Sequence, residues 1–311
     1  MRPVEPEREG FTAVVNGRRE NFAGGEAYGR WCAGQLERGN VLLVPSQAFP
    51  LPAEDSEFLL HQRQTSAGYH KNIAYRPLAG RLTGYEAAQP ADVDTLQQVL
   101  RRFSSQAERF VNETLAPYSG GIRLDFASFR PIEEQGRALR RRARNDLLHT
   151  DAFPTRPTNG DRILRFFVNL NPTQPRVWIT SETFDPLATR YGPAAGLADI
   201  RRAARSRPRR SIRDLGRTLG LVVRSPYDRF MMRFHNWLKE NEPFQSGCEK
   251  RRWEFPPGAV WMVYTDMVSH AVLSGRYALE QTFLVGRQAM LEPERSPAGV
   301  LERLCGCPVC D

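Results

Sequence analysis

The stretch LHTDAFPTRPTNGDRILRFFVNLNP, residues 148–172, holds two signals that decide how this chain is read. Its second half, RILRFFVNLNP (162–172), is dense in branched and aromatic residues and stops at Asn171-Pro172, as a β-strand does. Along such a strand Ile163, Arg165, Phe167 and Asn169 share one face, and Arg162 falls on the other. The first half places His149 and Asp151 two residues apart, so on an extended segment both point to the same side.

Working outward, further strand signals surround this stretch. IRLDFASF (122–129) alternates with Ile122, Leu124 and Phe126 on one face, and RVWIT (176–180) adds a second hydrophobic run. NVLLVP (40–45), GAVWMVYTD (258–266) and YALEQTFLV (277–285) read the same way. Before them, Leu96, Val99, Leu100, Phe103, Ala107, Phe110, Val111 and Leu115 recur at helical spacing. Asp92 or Asp94 is the expected cap of that helix, with Pro117 and Gly120-Gly121 as its stop. A mostly helical insertion is expected over about 183–245, where Ser225-Pro226 opens a helix with Phe230, Met231, Phe234, Trp237 and Leu238 on one face. Strands around a helical insertion, after a helix-rich start, predict an α+β chain. Its core is a double-stranded β-helix (jelly-roll, cupin-like) with flanking helices. The expected layout is one domain: a mixed N-terminal part (1–118), the jelly-roll core (119–290) and a cysteine-bearing tail (291–311).

Composition narrows the function. The 311 residues are 41% hydrophobic and 25% charged, with a net charge of +9. No apolar run approaches the roughly 20 residues of a membrane helix, and MRPVEPEREGF lacks the apolar core of a secretory signal. A cytoplasmic location is the expectation. The five cysteines include CGCPVC, with Cys305, Cys307 and Cys310, three thiols where a structural zinc site wants four ligands. Reduced thiols are expected there. The basic charge favours anionic partners, and its densest run holds Arg201, Arg202, Arg205, Arg207, Arg209, Arg210 and Arg213. That run has no interleaved aromatics and no nucleic-acid fold signature, so nucleic acid is not the expected partner.

The chemistry resides in three residues. His270 lies just past the strand 258–266, and a neighbouring strand can bring it beside His149 and Asp151. Two imidazoles and one carboxylate on one face leave open coordination positions, which suits non-haem Fe(II) and a bidentate 2-oxo acid. The far carboxylate of such an acid needs a cation, and arginine binds carboxylates bidentately. Arg165, on the inward face of its strand, is the leading candidate. Arg276 and Arg287 beside the last strand are alternatives, and Gln281 and Thr282 can add hydrogen bonds. His61 and His70 lack a carboxylate at ligand spacing, and His235 reads as a packing residue on a helix.

With these residues in hand, the chain resembles the Fe(II)/2-oxoglutarate-dependent hydroxylases of 3-deoxy-D-manno-oct-2-ulosonic acid (Kdo). The matching blocks are YHKNIAYRP (69–77), SFRPIEEQGR (128–137), residues 148–172, YDRFMMRFHNWLK (227–239) and FPPGAVWMVYTDMVSHAVLSGRYALEQTF (255–283). The resemblance implies iron held by His149, Asp151 and His270. It implies oxidation of 2-oxoglutarate to succinate and CO2, coupled to hydroxylation of Kdo at C3 on lipid A-linked inner-core lipopolysaccharide. It leaves open whether ascorbate is needed to keep the iron reduced. Arg130, Arg137, Arg156 and Arg162 flank the expected iron site and are candidates to grip the sugar acid. A +9 chain suits peripheral work at the anionic inner face of the inner membrane. Two other readings compete: a 2-oxoglutarate oxygenase for another substrate, and a non-catalytic jelly roll that binds anionic sugars.

Overall fold

The computed structural model describes residues 8–65, 72–86, 90–136, 139–206 and 223–310. The N-terminal part supplies β1 (Val14–Asn16), α1 (Gly25–Glu37), β2 (Val41–Val44) and α2 (Ala53–Leu60). It continues through β3 (Arg63–Gln64), β4 (Ile73–Arg76), β5 (Arg81–Thr83), β6 (Tyr85–Glu86) and the long α3 (Pro90–Thr114). Then come β7 (Ile122–Arg130), β8 (Arg162–Asn169) and β9 (Arg176–Thr183). Helices α4 (Phe184–Tyr191), α5 (Leu197–Arg205), α6 (Pro226–Glu240) and α7 (Glu242–Gly247) fill the expected insertion. The chain closes with β10 (Arg251–Phe255), β11 (Val260–Tyr264), β12 (Val268–Ser274), β13 (Ala278–Val285) and α8 (Pro297–Cys305).

Two sheets carry the core. The larger runs β1-β2-β11-β8-β13-β7-β4-β5, and the smaller runs β10-β9-β12. The chain passes between them four times, at β8–β9, β10–β11, β11–β12 and β12–β13, the alternation that a double-stranded β-helix requires. Their facing sides meet through Phe167 of β8 on Trp178 of β9 (ring centroids 5.2 Å) and Phe255 of β10 stacked on Trp261 of β11 (4.1 Å).

Strand β8 carries apolar residues on both sides, Ile163 and Phe167 on one and Leu164, Phe166 and Val168 on the other, because both of its faces are covered. Phe167 points between the sheets. Phe166 points outward and meets Phe49 at 4.7 Å, Phe110 at 5.7 Å and Phe103 at 6.4 Å beneath α3. Each such aromatic contact contributes about 0.5–1.5 kcal/mol beyond area burial, so these rings pin the sheet under α3. That helix starts two residues before Asp92, which therefore sits in its first turn and complements the helix dipole rather than capping it.

Helix α6 begins as its Ser-Pro start signal requires. The Ser225 side chain accepts the Asp228 amide at 3.1 Å, and Asp228 accepts the Ser225 amide at 3.1 Å. The other Asp228 oxygen accepts the amides of Thr158 at 2.8 Å and Asn159 at 3.1 Å. One buried carboxylate thus ties the loop after Asp151 to the helix.

Candidate metal centre and cavity

His270 lies inside a strand of its own, β12, rather than just past the preceding one. The sequence offers only Asp266 as a turn-prone residue at Thr265–Met267, with no Gly, Pro or Asn, yet the chain reverses there. The segment carrying His149 docks on that strand edge. His149 and His270 exchange backbone hydrogen bonds at 3.1 and 2.9 Å, and the Asp151 amide donates to the Thr265 carbonyl at 2.7 Å. Side chains two residues apart then share a face, and His149 Nε2 lies 3.5 Å from Asp151 Oδ1.

The donor set fits an iron(II) ion. His149 Nδ1 lies 2.7 Å from the Leu147 carbonyl and His270 Nδ1 lies 2.9 Å from the Val268 carbonyl. A carbonyl only accepts, so each Nδ1 carries the proton and each Nε2 keeps its lone pair for a metal. One ligand atom from each of His149, Asp151 and His270 lies within 4.8 Å of the others. Burial holds both imidazoles below their ordinary range, so they stay neutral near pH 7. Burial pushes the Asp151 carboxyl up, but Arg165 and the two imidazoles outweigh it and hold the group well below the usual carboxylate range. A neutral pair of imidazoles and an ionised carboxylate is the ligand state that metal binding needs. Trp178 stacks on the His270 ring at 5.2 Å and fixes its plane.

These groups open into a cavity of about 640 Å³. Arg130, Arg156, Arg165 and Thr282 line it, as does the unanticipated Glu280. Arg165 points inward as expected, and its guanidinium is engaged: Nε lies 2.8 Å from Asp151 Oδ2, and Nη1 meets Glu280. Arg130 donates to the same Glu280 from Nε at 3.0 Å. Arg156 pairs with Asp125 and lies over Phe126 at 3.9 Å and Phe153 at 4.3 Å.

Other expected binding residues lie elsewhere. Arg162 is wholly buried on the opposite face of β8, where Asp266 takes it bidentately at 2.8 and 3.1 Å and Tyr264 stacks beneath at 3.9 Å. The expectation that it faces surface or substrate is corrected: Asp266, the Tyr264 ring and the Met290 sulfur close it in. Gln281 also points away from the cavity, donating to the Asp125 and Thr282 carbonyls at 3.0 and 2.9 Å. Arg276 donates to the Pro131 carbonyl at 3.1 Å, and Arg287 pairs with Glu302 at 2.6 Å, neither lining the cavity. Arg137 and His70 lie outside the described residues.

Sequence reasoning also missed a wall of the site. Met232, His235, Asn236 and Lys239 line the cavity from one side of α6. His235 Nδ1 donates to the Thr150 carbonyl at 2.8 Å, so Nδ1 is the protonated atom there too. Its ring meets His149 edge-on at 4.9 Å, a supporting contact rather than a ligand position. Their spacing of i, i+3, i+4 and i+7 was the available signal, hidden among the aromatic residues of the same helix. His61 bonds the Glu57 carbonyl at 2.8 Å, apart from the site.

A family model for 3-deoxy-D-manno-oct-2-ulosonic acid (Kdo) hydroxylases matches residues 23–308. The chain belongs to the Kdo hydroxylase family. Solved structures of the Kdo hydroxylase KdoO, a non-haem Fe(II) 2-oxoglutarate-dependent dioxygenase, are similar over nearly the whole of both chains. Its complex with 2-oxoglutarate and Fe(III) has a TM-score of 0.79 and 31% identity, covering 96% of this chain and 97% of that one. The cobalt(II) complex gives 0.80 and 32%, and the complex with succinate and Fe(III) gives 0.78 and 31%, each with the same coverage. Among curated proteins, none matches.

Proposed function

We propose that this chain is an Fe(II)- and 2-oxoglutarate-dependent dioxygenase that hydroxylates Kdo at C3 on a lipid A-linked inner-core acceptor. The observation that carries this reading is the His149–Asp151–His270 group, poised as metal donors at a cavity lined by arginines, in a member of the Kdo hydroxylase family. KdoO itself is solved with Fe(III) and 2-oxoglutarate and with succinate, the product its co-substrate yields.

Iron(II) bound by His149, Asp151 and His270 supplies dioxygen activation and the oxidative decarboxylation of 2-oxoglutarate. The protein's own residues do the positioning. The backbone bridge between His149 and His270 holds the two imidazoles together, and Trp178 and His235 fix their ring planes. Arg165 orients the Asp151 carboxylate. The arginines of the cavity give it an electropositive interior that suits both a 2-oxo diacid and a sugar acid. Phe126, Phe153 and Phe167 line it with apolar surface that limits water beside the reacting carbon.

The acceptor reading extends to location. No helix among the described residues is long and apolar enough to cross a membrane. Helix α5 exposes Arg201, Arg202 and Arg205, suited to the phosphates of lipid A or of an anionic leaflet; the rest of that arginine run lies outside the described residues.

The test is reconstitution with Fe(II) without oxygen, then turnover of 2-oxoglutarate in air with and without Kdo-lipid A. One oxygen gained on Kdo per succinate formed is the expected result. Succinate without a mass shift on the sugar would retain the oxygenase and discard the acceptor. Neither succinate nor metal binding in folded protein would discard both.

A further inference from the structure

Five ionic contacts among buried and partly buried groups run in series from the metal-ligand carboxylate. Asp151 contacts Arg165 at 2.8 Å, Arg165 contacts Glu280, and Glu280 contacts Arg130 at 2.5 Å. Arg130 then contacts Glu134 at 3.6 Å, and Glu134 Oε1 lies 3.9 Å from Arg176. The two outer links are the loosest, so Arg176 is the least neutralised member.

The surroundings of Arg176 do not make up the deficit. The residue is 1% exposed, its Nη1 donates to the Gly275 carbonyl at 2.8 Å, and its Nε has no hydrogen-bond partner among the described residues. Glu133, the other nearby acid, is held by the amides of Gly275 at 2.7 Å and Glu134 at 2.9 Å. Burial without a close carboxylate pushes the Arg176 guanidinium down to about 10. Arg162, equally buried, has Asp266 at 2.8 Å instead. A buried guanidinium lacking a close counter-ion is costly, and an enzyme keeps one where a ligand supplies the missing charge. Arg176 lines the cavity two residues before Trp178 on the same face of β9, and Trp178 stacks on His270. That puts it about 7 Å along the strand from the wall of the metal site.

The charge count changes with the metal. Without it, three guanidinium groups (Arg130, Arg165, Arg176) face three carboxylates (Asp151, Glu134, Glu280). Once Asp151 is committed to a cation, two carboxylates face the same three guanidinium groups.

We infer that Arg176, with Arg130 beside it, forms a buried carboxylate-binding site whose charge is released when Asp151 ligates the metal. This rests on the oxygenase reading above and deepens it, because Arg176 rather than Arg165 takes the incoming carboxylate. Arg165 is a positioning residue, held between Asp151 and Glu280. The ligand chemistry is a carboxylate, supplied either by the far end of 2-oxoglutarate or by the sugar acid.

The experiment titrates 2-oxoglutarate into Co(II)-loaded full-length protein by calorimetry, for wild type, Arg176→Gln and Arg176→Lys, and measures KM for Kdo-lipid A in parallel with the iron enzyme. Loss of a charge-assisted contact predicts a rise of about 10- to 100-fold in one of the two constants for Arg176→Gln, partly restored in Arg176→Lys. A rise in the 2-oxoglutarate Kd alone assigns the site to the co-substrate, and a rise in the sugar KM alone assigns it to the sugar acid. Both constants within 3-fold of wild type overturn the proposal. So does equal loss in Gln and Lys, which marks a structural role. If Arg176→Gln does not fold, Arg176→Met, which keeps the aliphatic stem, replaces it. In metal-free protein, Asp151→Ala should bind succinate about 10-fold more tightly than wild type, and adding Arg176→Gln should abolish the gain; a gain that persists belongs to Arg165 and overturns the assignment. Failure of the Kdo reading appears separately, as wild-type enzyme that binds 2-oxoglutarate on Co(II) but leaves the sugar unoxidised.

Discussion

Replacing Asp266 by asparagine separates a structural arginine from a substrate-binding one. The change keeps the shape of the side chain but strips the charge facing Arg162, whose Nε and Nη2 donate to the two Asp266 oxygens at 2.8 and 3.1 Å. Both residues are fully buried, so water cannot enter to solvate the guanidinium left behind. Removing one partner of such a pair costs about 3–5 kcal/mol. At roughly 2.1 cal/mol/K of unfolding entropy per residue, a chain of 311 residues loses about 5–8 °C in Tm. The double variant Arg162→Met/Asp266→Asn removes both charges and should recover at least half of that loss. Differential scanning calorimetry gives the Tm values, and KM for Kdo-lipid A at a temperature where all variants are folded gives the functional readout. A fall in Tm with KM unchanged is expected. A Tm shift under 2 °C with a raised KM would refute the reasoning and return Arg162 to the substrate.

Three further outcomes test the site and its surroundings. His149→Ala and His270→Ala should each lose Co(II) binding, read by the visible spectrum of the titrated metal, while circular dichroism stays that of the wild type; retained stoichiometric binding in both would remove them as ligands. Trp178→Ala should weaken Co(II) binding by about 10-fold through loss of the ring that fixes His270, and Trp178→Phe should restore most of it. In native protein at pH 8, Cys32 should resist thiol reagents. Burial pushes its thiol up to about 12, so its thiolate fraction rises with pH only far above the assay. Five thiols should react after denaturation, because all five cysteines are free; rapid native labelling of Cys32 would show that α1 opens.

Much of the scaffold was legible because local patterns specified it. The two-sided apolar run of β8 and the helical spacing of α3 each record what the neighbouring layer buries. The pair His149 and Asp151 was legible for the same reason, since a two-residue spacing fixes a shared face whatever the strand's partner. What escaped depends on pairing across the chain. In β7 a bulge between Leu124 and Ala127 breaks the expected shared face, so Ile122 and Leu124 join the core while Phe126 lines the cavity. The reversal before β12, at Thr265-Asp266-Met267, has no Gly, Pro or Asn to mark it, so His270 reads as lying just past the strand 258–266 rather than within a strand of its own. Glu280 looks like any polar residue in a strand until Arg130 and Arg165 are seen to converge on it from 150 and 115 positions away. Arg162 misled because its partner, Asp266, is 104 residues distant. A buried charge shows in the sequence only as a charge; its neutralising partner shows in the fold.

The central claim is that hydroxylation falls on the carbon made distinctive by the absent 3-hydroxyl of Kdo. It is tested most directly with a Kdo-lipid A acceptor carrying two deuterium atoms at C3, incubated with the Fe(II) enzyme and 2-oxoglutarate under 18O2. Mass spectrometry of the released sugar should show one deuterium lost and one 18O gained for each succinate formed. Retention of both deuterium atoms, with or without oxygen gained elsewhere on the sugar, would contradict the account.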